Sequence, residues 1–183
     1  MLAPVSPPAA DPRLALFRWY NEQMLEWNRT YMQGGEGVYA ALRSFDRVSD
    51  HLRALQPWLA ARVAQDDAAA EVCNDLPRAG GFMAALRLDR HEQIRWTEAA
   101  LAGARRLGLW EMEGAHLANL GNSHLYLGDS VRASEFFRAA LEVLGTEGRP
   151  LLRASVLGNL GLTYMNQGRV AEAVNAFHEH LTV

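Results

Sequence analysis

Apolar positions recur in this chain at three- and four-residue steps, the period of one face of an α-helix. From Asp11, read as an N-cap with Pro12 in the first turn, the stripe Leu14, Phe17, Trp19, Tyr20, Met24, Trp27 and Tyr31 predicts a helix that ends at Gly34-Gly35-Glu36-Gly37. Val38, Leu42, Phe45, Val48, Leu52 and Leu55 predict a second, broken or restarted at Pro57. Asp66-Asp67 start a short helix expected to run through Leu76, where Pro77 kinks or restarts the chain. Asp89 with Glu92 three residues on reads as a capping box, opening a helix to Leu107 that Gly108 ends. Further helices are expected over about 110–127, 130–144, 150–167 and 170–182, separated by Gly128-Asp129, Gly145 to Pro150 and Gly168-Arg169. Connections this short make neighbours antiparallel.

The composition supports an all-α reading. Among 183 residues there are 29 Ala and 26 Leu against one Ile and 11 Val, and all 18 basic residues are Arg. These are helix formers, and β-branched residues are too scarce for an extensive sheet. A net charge of −3 supplies no basic excess for nucleic acid or an anionic membrane, so neither is expected as a partner. One cysteine excludes an intrachain disulfide, no apolar run is long enough to span a bilayer, and the first ten residues lack the charge and apolar run of a secretory signal. A cytoplasmic location is expected. Residues 1–10, rich in proline, are read as a disordered lead.

A shift of 40 residues superimposes the second half of the chain on itself. Asn119-Leu120-Gly121 falls on Asn159-Leu160-Gly161, Leu117 on Leu157, Gly128 on Gly168, Ala133 on Ala173, Phe137 on Phe177 and Leu141 on Leu181. The preceding 40 residues match more weakly, with Gly80-Gly81 and Gln93 at signature positions. This yields four segments: the lead (1–10), an N-terminal helical region (11–69), a degenerate helix pair (70–108) and two clear pairs (109–183), the last truncated.

These residues resemble the tetratricopeptide repeat, in the long variant whose Leu-Gly-Asn-Leu-Gly core stands whole at 157–161. The resemblance implies a right-handed α-solenoid of antiparallel helix pairs. In it Gly121 and Gly161 permit close helix approach, and Phe137 and Phe177 fill space between units. A last repeat stopping at Val183 leaves an apolar face open, so the chain is read as a fragment of a longer protein. Self-association through that end, or partial cover by His180, are the alternatives. Arg43-Ser-Phe-Asp46 and the segment 95–108 resemble the helical region that precedes such repeats in bacterial signal-transduction NTPases, although no phosphate-binding Gly-Lys-Ser/Thr loop is present.

The resemblance also places site residues. In these arrays the first helix of each pair lines a concave groove. The groove positions are Ala115, Ala118, Asn122, Leu125 and Tyr126 in one unit, and Ser155, Gly158, Leu162, Met165 and Asn166 in the next. The degenerate unit offers Asp75, Arg78, Phe82, Ala85 and Leu86. Asn122 resembles the amide that hydrogen-bonds a bound peptide backbone, Arg78 has the fork for a carboxylate, and Tyr126, Leu125, Phe82 and Met165 are candidate apolar anchors. No Lys is present for a lysine-rich carboxylate clamp.

Catalytic chemistry finds little support. His116 and His124 stand two turns apart, and His178 and His180 splay across their helix, so no metal and no cofactor are expected. Cys73 has no basic neighbour in sequence to activate it and reads as a small core residue. The pairs Glu111/Glu113 and Asp66/Asp67 suit helix starts. The expectation is a non-enzymatic module that binds a peptide or helix of a partner protein. A ligand-sensing regulatory segment of a larger signalling ATPase or protease is the alternative.

Overall fold

The computed structural model describes residues 11–182; the lead over 1–10 and the chain end at Val183 lie outside the described residues. Among the described residues there are eight helices and no strand: α1 (Pro12–Met32), α2 (Glu36–Arg62), α3 (Asp67–Arg87), α4 (Arg90–Arg106), α5 (Trp110–Tyr126), α6 (Ser130–Leu144), α7 (Pro150–Asn166) and α8 (Val170–Thr182). Each packs on the next, and α1 also packs broadly on α3, giving a helical solenoid of antiparallel pairs. None is long and apolar enough to cross a membrane.

Local chemistry explains where the helices begin and end. The carboxylate of Asp89 accepts from Glu92 N at 2.8 Å while the Glu92 carboxylate accepts from Asp89 N at 3.0 Å, completing the capping box. Asp11, Asp66 and Asp129 cap α1, α3 and α6 by accepting from backbone N–H groups of the first turn, without the reciprocal bond. Gly108, Gly128 and Gly168 leave their helices with φ of 66°, 80° and 73°, a conformation that costs glycine nothing. From α4 onward the boundaries agree with the sequence expectation to within one residue.

The two internal prolines do not act as expected. Pro57 neither breaks nor restarts α2, which runs on to Arg62, and α3 continues past Leu76 and Pro77. Both prolines are flanked by fully packed neighbours, Leu52 and Leu59 in one case and Cys73, Leu76 and Ala79 in the other. That burial offsets the lost backbone hydrogen bond. The interruption in α3 falls instead at Gly81, with φ 44° and ψ −129°. Asn28 of α1 reaches into the break, where its Nδ2 donates to Ala79 O at 2.6 Å. A Cβ on Gly81 would stand 2.6 Å from that same amide, so space and φ both demand glycine here.

Two buried clusters run along the array, one from Leu14 to Ala99 and the other from Leu101 to Ala176. In the second, a Cβ on Gly121 would meet the Phe137 ring at 2.6 Å, and one on Gly161 would meet Phe177 at 2.5 Å. Each ring thus lies on the glycine of its own pair. The repeat is also compensated internally. Where one unit has Ala118 and Ala140, the next has Gly158 and His180, the larger ring standing over the missing methyl and bonded through Nδ1 to Ala154 O at 2.7 Å.

Cys73 is buried in the first cluster, and that burial pushes its thiol up to about 12. The folded protein is therefore expected to leave a maleimide unreacted at pH 8 and to be labelled once unfolded. Labelling at the unfolded rate under native conditions would show that the α1–α3 packing opens readily.

Candidate functional site

The 40-residue shift locates the most distinctive cavity. Phe137 and Phe177 have Thr97 as their counterpart in the α3–α4 pair, and Ala133 and Ala173 have Gln93. No ring fills the space beside α3 at this level, and the glycine equivalent to Gly121 is Gly81, where α3 breaks. A cavity of about 240 Å³ lies there, among α3, α4 and α5. Ala84, Ala85, Leu88 and Trp96 supply apolar walls, and Gln93, Thr97, Asn119 and Asn122 bring polar groups to it.

Those polar groups are partly committed. Thr97 Oγ1 donates to Gln93 O at 2.7 Å, and Gln93 Nε2 donates to Leu88 O at 2.8 Å. Asn122 Oδ1 accepts from Asn159 Nδ2 at 2.9 Å, a bond from α7 to α5 that leaves the Asn122 Nδ2 for an incoming acceptor. Asn119 stands at the repeat position of Asn159, but the residue one unit earlier that would answer it is Phe82 rather than an amide. Its exposed side chain turns to the cavity. Arg90 also lines the cavity, its guanidinium 4.6 Å from the centre of the Tyr126 ring.

Of the residues singled out in the sequence, Asn122 lines this cavity and Tyr126 stands at its edge over Arg90, 77 % exposed. Arg78 and Phe82 belong to a different depression, between α1 and α3. Leu125 packs half-buried against the second apolar cluster, so much of its surface is already used. Ser155, Met165 and Asn166 are exposed along α7 and line neither depression. Asn119, Gln93, Thr97 and Arg90 were not among the sequence candidates. The replacement of phenylalanine by Thr97 at a repeat position is the signal that marks them.

His116 is the other unusual polar group. It lies buried on α5, and its Nε2–H donates to Asn74 Oδ1 of α3 at 3.0 Å, while Nδ1 is buried without a partner. Burial pushes its pKa down to about 4, so the ring is neutral and joins adjacent units as a structural element.

The array is of the antiparallel helix-pair repeat class. A sequence profile described as tetratricopeptide repeat matches residues 153–183, covering part of α7 and all of α8. Searches of curated proteins and of solved structures found no match to the chain. The profile match and the all-helical fold support a tetratricopeptide-type repeat, a kind of module that in general mediates contacts between proteins.

Proposed function

We propose that the concave face binds an extended or helical segment of a partner protein, with one apolar side chain of that segment seated in the cavity among α3, α4 and α5. The observation that carries this reading is the cavity itself, sited where a degenerate repeat lacks the ring that fills both later units. Its apolar walls would take the side chain. The amides of Asn119 and Asn122 would meet the segment's backbone with donor and acceptor together. Tyr126 would lie along the segment as an exposed aromatic contact, and the polar residues of α7 (Ser155, Asn166) with Met165 would extend the surface.

The test is a selection of peptides from a displayed random library, followed by titration against variants. Ala85 is exposed at the cavity, so Ala85→Arg fills it without touching the core. Selected peptides are expected to lose most of their affinity for Ala85→Arg and about 1–3 kcal/mol for Asn122→Ala. Peptides that bind wild type and Ala85→Arg equally would move the binding surface elsewhere.

A further inference from the structure

α1 and α3 lie side by side in the same direction, with a constant offset of 51 residues. Asn21 Nδ2 donates to Val72 O at 3.2 Å and Asn28 Nδ2 to Ala79 O at 2.6 Å. Further along, Tyr31 stacks on Phe82 with ring centres 5.2 Å apart and planes 11° from parallel. The seam between the helices changes character along its length. Toward the start Glu22, Glu71 and Asp75 are answered by Arg18 and Arg78, with Arg18 lying 3.5 Å from Glu71. Beyond Leu25 it opens into a depression of about 570 Å³, whose charged lining residues are Arg29 and Arg78. The apolar part of that lining is left in water, Met32 being 67 % and Phe82 50 % exposed.

Neither guanidinium is strongly held. Arg78 meets Asp75 at 3.5 Å and Arg29 meets Glu26 at 2.8 Å, both as surface pairs within one helix turn. Such pairs contribute little and exchange readily for another carboxylate. A ligand matching the depression therefore needs an apolar group to cover Met32 and Phe82 and a negative group beside it to meet two arginines.

We propose that this depression docks a partner segment in which a large apolar side chain stands next to a carboxylate. The apolar group lies against Phe82 and Met32, and the carboxylate accepts from Arg29 and Arg78. The proposal rests on the reading of the concave face as a partner-binding surface. It assigns that surface a second contact point with its own chemistry, joined to the first cavity at Gly81, which lines both.

The probe is the blocked dipeptide acetyl-Phe-Asp-amide, titrated into the full chain and followed by NMR at the side-chain Nε–H signals of Arg29 and Arg78 and the methyl signal of Met32. Acetyl-Phe-Asn-amide and acetyl-Ala-Asp-amide are the controls. The expected result is saturable shifts of these signals by Phe-Asp, with binding about tenfold weaker for each control, the scale of one charge-assisted contact. The Arg29→Gln/Arg78→Gln variant, exposed at both positions and so still folded, is expected to bind Phe-Asp no better than Phe-Asn. Equal shifts by all three dipeptides, or no shift, overturn the proposal. Library-selected peptides that lose affinity for Ala85→Arg but bind Arg29→Gln/Arg78→Gln unchanged would leave the cavity reading standing and overturn this one alone.

Discussion

Phe137→Ala is expected to destabilise the protein by about 3–5 kcal/mol, the cost of removing a fully buried phenylalanine from a core that cannot close over the gap. The ring has no exposed surface, and its far edge lies against Gly121, whose missing side chain is what lets α5 and α6 approach. Neither helix can move inward without meeting Leu117, Leu120 and Ala140, all buried. Urea unfolding of the two proteins gives the difference directly, and the melting temperature should fall by on the order of 10 °C. Phe177→Ala provides the comparison. Its ring holds the same place against Gly161 but is only partly buried, so it should cost less. Equal effects at the two positions, or a loss below about 1 kcal/mol at Phe137, would contradict the packing described.

Stability is also expected to fall with acidification in a window set by His116. The folded ring is neutral down to about pH 4, whereas in the unfolded chain it takes up a proton near its ordinary value of 6.5. Above pH 6.5 the two states bind the same number of protons there, and this residue contributes no pH dependence. Between 6.5 and 4 the unfolded state binds more, so stability is lost as pH falls, by on the order of 3 kcal/mol at the lower limit. The carboxylates titrate as well, and the difference between wild type and His116→Gln isolates the ring. Glutamine can still donate to Asn74 Oδ1 but has no proton to gain. Unfolding free energies measured from pH 7 to pH 4 should converge for the two proteins as the pH falls. Parallel curves would remove His116 as the cause.

The second half of the fold was legible because most of its helix boundaries carry a chemical marker. Asp89 and Asp129 offer a carboxylate to the first free N–H groups, and Gly108, Gly128 and Gly168 occupy positions where other residues strain. Pro57 and Pro77 misled for the opposite reason: a proline's cost is local, and the packing that overrides it is not. The break at Gly81 depends on Asn28, 53 positions away in the chain, and no local pattern announces such a contact. Of the positions carried over from the repeat, Asn122 lines the cavity among α3, α4 and α5, and Tyr126 stacks on Arg90 beside it. The carried-over positions did not separate Arg78 and Phe82 from these two, because the depression holding Arg78 and Phe82 is formed with α1, a helix outside the repeat pattern. The cavity was nonetheless written in the repeat as Thr97 in place of phenylalanine.

The two depressions meet at one backbone position. Gly81 borders both depressions, and the nearest atoms to its missing side chain belong to the Asn28 amide that secures the broken helix. A methyl group there would collide with that amide, at a φ of 44° that disfavours any side chain. The position that borders both depressions is thus also one on which the α1–α3 packing depends, so any substitution made to reshape either depression also strains the fold around it.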